Sequence, residues 1–195
     1  MTFINYNTKE INCKIVYYGP PLSGKTRNLK VIYERTPVQN RGEMIALSHE
    51  DERTCYFDFL PLFVGKIRGY TTRLHLYTVP GNAVYDTNRR MILKGVDGIV
   101  FVADARRERL DENIESLENM KKNLQAHGYD PARIPLVMQI NMRDFPTSMP
   151  DNELAKAINP TGHPLFTANA KTGDGVNETL KAVSQLVIKQ LVKAK

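Results

Sequence analysis

The apolar positions along the chain fall into two kinds of pattern. Asn12-Cys13-Lys14-Ile15-Val16-Tyr17-Tyr18 is rich in β-branched and aromatic residues and reads as a strand. It runs into a glycine-containing loop, after which Lys25 to about Glu34 reads as a helix. Tyr56-Phe57-Asp58-Phe59-Leu60 and Arg73-Leu74-His75-Leu76-Tyr77-Thr78 alternate with period two, as paired strands with one more polar face do. Gly98-Ile99-Val100-Phe101-Val102-Ala103 and Pro135-Leu136-Val137-Met138-Gln139-Ile140 are short continuous apolar runs, suited to central parallel strands covered on both faces. Leu110, Ile114, Leu117 and Leu124 recur at helical spacing, as do Val176, Leu180, Val183, Val187 and Leu191. The order is strand, loop, helix, two strands, then alternating helices and strands. This predicts an α/β fold with a mostly parallel central sheet and helices on both faces, and its ligand site at one sheet edge.

The chain is 195 residues long, without internal repeats or low-complexity linkers, so one domain spanning 1–195 is expected. No apolar run is long enough to cross a bilayer, and the first residues lack the layout of a signal peptide, so no membrane insertion is expected. Two cysteines, Cys13 and Cys55, make no disulfide framework and point to a reducing cytoplasm. The net charge of +6 leaves two readings open, a solvated basic face and a surface for an acidic or polyanionic partner. Basic residues are not interleaved with aromatics in the way that nucleic-acid binding requires.

Gly19-Pro20-Pro21-Leu22-Ser23-Gly24-Lys25-Thr26 carries the chemistry. Two glycines with four residues between them, then Lys and Thr, between a strand and a helix, form a P-loop. Gly19, Leu22, Ser23 and Gly24 shape a cradle of backbone N–H groups. Lys25 is the charge for the β and γ phosphates, and Thr26 the hydroxyl for Mg²⁺. Pro21 has no N–H, so either this position donates nothing to phosphate or binding suffers there. Asn141-Met142-Arg143-Asp144, directly after an apolar strand, resembles the Asn-Lys-x-Asp guanine motif of small GTPases. An Asp144 carboxylate can accept two hydrogen bonds from guanine, and adenine offers no such donor pair. Asn169-Ala170-Lys171 resembles the second guanine loop of the same proteins, with Ala170 and Lys171 as its base-binding residues.

These stretches, with Phe3-Ile4-Asn5-Tyr6, Phe57-Asp58-Phe59-Leu60-Pro61-Leu62 and Leu93-Lys94-Gly95-Val96-Asp97-Gly98, resemble the MglA family of bacterial gliding-motility and cell-polarity small GTPases over almost the whole chain. Thr78-Val79-Pro80-Gly81 is distinctive, because most small GTPases have Asp where this family has Thr. The resemblance implies a Ras-like fold binding GTP or GDP with Mg²⁺. It implies a monomeric cytoplasmic switch recruited to a cell pole, with polar response-regulator partners and a roadblock-type activator. It makes Arg53 an arginine finger supplied in cis, Thr54 a ligand of Mg²⁺, and Gly81 a sensor of the γ-phosphate.

Three residues depart from the family. Asn82 stands for a water-positioning Gln and is one methylene shorter. Pro21 replaces a glycine near the same water, and Met142 replaces the lysine of the guanine motif. Together they predict retained nucleotide binding with slow hydrolysis. A cycling switch, a pseudo-GTPase scaffold and a P-loop kinase or ATPase remain as readings, the last without a candidate catalytic lid. The segment 35–53 reads as a polar loop, either the mobile switch or an ordinary connection.

Overall fold

The computed structural model describes residues 3–48 and 54–193. Its strands are β1 Phe3–Asn5, β2 Glu10–Tyr18, β3 Ile45–Ser48, β4 Thr54–Ile67, β5 Tyr70–Thr78, β6 Gly98–Asp104, β7 Leu136–Asn141 and β8 Leu165–Thr167. Its helices are α1 Lys25–Arg35, α2 Asp86–Leu93, α3 Leu110–Ala126, α4 Asp151–Ile158 and α5 Val176–Lys193. The strands form one eight-stranded sheet in the order β3-β4-β5-β2-β6-β7-β8, with β1 beside β2. β5, β2, β6, β7 and β8 are parallel, and β3 and β4 join one edge antiparallel. β1 pairs with Glu10–Asn12, and β6 joins β2 only from Ile15, so β1 covers the part of that edge which β6 leaves bare.

The predicted order therefore holds, and the wholly buried β6 and β7 are the continuous apolar runs. Tyr17, Leu29, Val102, Val183 and Val187 form the core under α1 and α5. Tyr18, Phe101, Leu117, Met138 and Leu154 form the core on the other face, under α2, α3 and α4. At Gly98 α5 leaves no room for a side chain, since a Cβ there would lie 2.5 Å from Val187 Cγ2.

Two expectations need correction. The segment 35–53 is not a plain loop, because Ile45–Ser48 is an edge strand on β4. Edge strands carry mixed polarity, so periodicity missed it. Ile114 is 39% exposed, and α3 instead turns Asn113, Ser116, Leu117, Met120, Asn123 and Leu124 inward. Its inward asparagines are hydrogen-bonded to the protein, which is why a polar residue can take a core position. Asn113 accepts from Asp104 N at 2.9 Å, and Asn123 Nδ2 donates to Asp86 Oδ1 at 2.9 Å.

Candidate functional site

The parallel strands end together, and their C-terminal ends carry every described residue of the candidate site. Gly19 has φ 143° and a Cβ there would meet Val102 O at 2.2 Å, while Gly24 has φ 96° and a Cβ would meet Asn141 Nδ2 at 2.2 Å. Both conformation and space demand glycine at these two positions. Leu22 takes φ 61° without being glycine, at the outer turn of the loop, where its side chain is 57% exposed. Its strain is the kind that a functional loop holds.

The loop delivers the chain to the start of α1, which has no side-chain N-cap and no acidic residue in its first turn. The first N–H groups of a helix lack partners of their own, so this end suits an anion. Lys25 is 5% exposed and donates to Gly19 O at 3.0 Å and Pro20 O at 2.7 Å. Burial, then the nearby Arg89, push its ammonium down to about 7, with Asp58 opposing the shift. Arg109 adds a further cation and donates to Pro21 O at 2.7 Å. Ser23 Oγ is buried with no hydrogen-bond partner among the described residues. A buried lysine held this low, an orphaned hydroxyl and an open helix start share one remedy, a bound phosphate group.

Asp58 is the residue that sequence reasoning passed over. It lies in β4, fully buried, and Thr26 Oγ1 donates to its Oδ2 at 2.6 Å. Thr78 Oγ1 donates to the same oxygen at 2.7 Å, and Asp58 N donates to Thr78 Oγ1 at 2.9 Å. Most of the small GTPases that the sequence resembles carry Asp at the position of Thr78. Here the carboxylate comes from the neighbouring strand and reaches the same threonine of the phosphate loop. The signal was present, since a charged residue in the middle of an apolar strand requires partners.

Asn141 ties three segments together. Its Nδ2 donates to Ser23 O at 2.8 Å, and its Oδ1 accepts from Ala170 N at 3.0 Å. Ala170 N–H thus faces Asn141, and Lys171 N donates to Asn169 Oδ1 at 2.9 Å. Arg27 and Arg35 of α1 hold the same loop by its carbonyls, Arg35 at 2.6 Å from Thr172 O and 2.8 Å from Gly173 O. Asp144 is exposed and its carboxylate has no partner among the described residues, so both oxygens can accept. Met142 has φ 62°, and its Cε lies 3.6 Å from where a Cβ on Gly24 would stand.

On the opposite side of the loop, Gly81 rests on the Pro20–Pro21 peptide, and a Cβ on it would lie 2.4 Å from Pro21 Cα. Asn82 is exposed, and its Oδ1 accepts from Val84 N at 3.1 Å, so its carbonyl is turned toward its own backbone. Arg53 lies outside the described residues. Thr54 opens β4, beyond the end of the Asp58 contacts. The expected residues on β2, α1, β5, β7 and the loop before α5 thus gather at one end of the sheet.

No known family model matches the sequence. The chain is 55% identical over 193 residues to the mutual gliding-motility protein MglA of Myxococcus xanthus (strain DK1622), covering 99% of each chain. End-to-end identity of this degree, on a Ras-like sheet, shows that the chain belongs to the MglA family of Ras-like small GTPases.

Proposed function

We propose that this protein is a guanine-nucleotide switch acting on gliding motility or cell polarity, one that holds its nucleotide far better than it hydrolyses it. The observation that carries this reading is the Asn141 bridge. One side chain joins the phosphate loop to the guanine loop, which makes a single site of them. Gly19, Leu22, Ser23, Gly24, Lys25 and Thr26 cradle the phosphates, with Gly81 beside them. Asp144 reads the guanine, and the loop of Ala170 and Lys171 closes over it. One sheet containing all described strands supports a single G domain over 1–195.

The residues fit Mg²⁺. Thr26 and Asp58 offer the hard oxygens that this ion takes, and Thr54 is the third candidate. Among the described residues no cluster of three His, Cys, Asp or Glu could hold a metal, so the ion would arrive with nucleotide oxygens. When bound it neutralises charge on the β and γ phosphates.

Slow hydrolysis follows from what Asn82 and Pro21 do. Asn82 is short, and its carbonyl is engaged by Val84 N. The backbone N and Cα of Pro21 lie against Gly81, so a residue without an N–H stands where the loop meets the γ-phosphate sensor. Arg53 as a cis finger belongs to the same proposal. A second reading, a scaffold that binds guanine nucleotide without cycling, is favoured by the same two residues. Protein partners of response-regulator type, with a roadblock-type activator, would read the switch at a cell pole. No described helix is long and apolar enough to cross a membrane.

Single-turnover assays decide between slow cycling and none. The purified chain should hydrolyse bound GTP slowly, and Asn82→Gln with Pro21→Gly should accelerate it about tenfold or more, the scale of one positioned catalytic group. Fast hydrolysis by the unmodified chain would overturn the slow-switch reading, and GTP retained without any turnover would leave the scaffold.

A further inference from the structure

Four non-glycine residues among the described ones have positive φ, namely Lys9, Leu22, Arg68 and Met142. Leu22 and Met142 belong to the nucleotide site. Lys9 (φ 50°) and Arg68 (φ 50°) lie at the opposite end of the sheet, in the turns that join β1 to β2 and β4 to β5. Ile67 pairs with Tyr70 across Arg68-Gly69, a two-residue turn in which both residues are left-handed. Asn or Gly is the usual occupant of the first position of such a turn. A cation set against local preference, twice on one face, points to a use beyond folding.

The charge of that face supports this. Lys9, Lys66, Arg68, Lys94, Lys189 and Lys193 are exposed there, and none has an ion pair among the described residues. The acids at this end are engaged, Glu10 by Arg73 at 2.8 Å, Asp130 by Arg133 at 3.4 Å, and Asp97 by Lys14 N at 2.8 Å. Cations therefore outnumber acids on this face, in a chain whose whole net charge is +6. Amid these cations opens an apolar cleft of about 30 Å³ lined by Ile4, Ile11, Ile67, Tyr70, Leu191 and Val192. Tyr6, 64% exposed, packs edge-on against Tyr70 beside it.

We propose that this face docks on the surface of a membrane rich in anionic phospholipid. Cations distributed over two hairpin tips, a loop and a helix end match a plane of headgroups. Arg68 lines the cleft beside its apolar side chains, so cation and apolar surface adjoin there, as headgroup and acyl region do at a bilayer surface. Tyr6 is an amphipathic ring of the kind that settles at an interface. Docked this way, the nucleotide end points into water and its switch segments stay accessible.

The test is sedimentation of the full chain, loaded with GDP, with vesicles of phosphatidylcholine plus phosphatidylglycerol and with vesicles of phosphatidylcholine alone. The chain should pellet with the anionic vesicles only, and less so as salt is raised. Combined Lys66→Glu, Arg68→Glu and Lys189→Glu should weaken this binding about tenfold or more, with GDP affinity unchanged. Arg68→Gly, which removes one cation and the strain at its φ, should melt at a higher temperature and bind the vesicles more weakly. Absence of pelleting with anionic vesicles overturns the proposal, and is the outcome if the face serves an acidic protein or a second copy of the chain. Equal pelleting with neutral vesicles, or no effect of the triple substitution, overturns it as well.

Discussion

Thr78 donates its hydroxyl to Asp58 Oδ2, and Thr26 donates to the same oxygen. A carboxylate is needed beside this threonine of the phosphate loop, and either of two adjacent strands can supply it. Asp58→Asn should therefore lower Mg²⁺-dependent GDP affinity by about 1.5–3 kcal/mol, the scale of a hydrogen bond to a charged group. Exchanging the pair, Asp58→Thr with Thr78→Asp, should restore most of the loss in a Mg²⁺ titration followed by a fluorescent GDP analogue. A double variant no better than Asp58→Asn would show that the two strands are not interchangeable. Met142 is the other informative residue. Its thioether lies close to Gly24 but donates nothing to the loop. Met142→Lys should tighten GDP binding by about 1–2 kcal/mol by calorimetry, the value of a regained hydrogen bond. The glycines, Lys25, Thr26, Asn141 and Asp144 were all legible from the sequence, because each role admits only one or two residue types. Asp58 was not, because its role depends on β4 lying beside β5 in register.

Among the elements, those that carry the site are fixed by others that never touch a ligand. Gln139 of β7 donates to Asn28 of α1 at 3.0 Å and to Thr179 of α5 at 3.1 Å, so a buried amide joins the two helices behind the phosphate loop. Asp86 at the start of α2 accepts from Asn119 at 2.7 Å and Asn123 at 2.9 Å, both on α3. These hydrogen bonds outweigh its burial and hold the Asp86 carboxyl below its usual range. α2 follows Gly81 and Asn82, so its anchoring on α3 sets where those two residues stand. α5 packs closely on β6 at Gly98, where a Cβ would lie 2.5 Å from Val187 Cγ2. Gly98→Ala should cost about 1–3 kcal/mol of stability in urea unfolding, through overpacking against Val183 and Val187, and an unchanged midpoint would mean that α5 can shift freely. Periodicity found β2, β6, β7 and α5 because their burial is one-sided or complete. It missed β3, whose Ile45 and Ala46 are exposed at the sheet edge, and it misjudged α3, whose inward face is partly polar.

The molecule as a whole places the two proposed sites at opposite ends of one mixed, mostly parallel sheet. Strand ends gather the phosphate and base loops, and strand starts gather the basic face. A ligand that binds only the folded site adds to stability by mass action. GDP with Mg²⁺ at a hundredfold excess over its dissociation constant should add about 2.7 kcal/mol, and chelating the metal should remove part of that gain. Equal stabilisation with and without a chelator would separate nucleotide binding from Mg²⁺. The sequence by itself determined the order of elements, the phosphate loop and the family, because periodicity and short motifs are properties of neighbours along the chain. The tertiary structure alone decided which strand supplies the carboxylate and which cations share the end of the sheet opposite the nucleotide site. The carboxylate contacts join residues 20 and 32 positions apart, and the basic face gathers residues from Lys9 to Lys193, which only the packing of the sheet brings together.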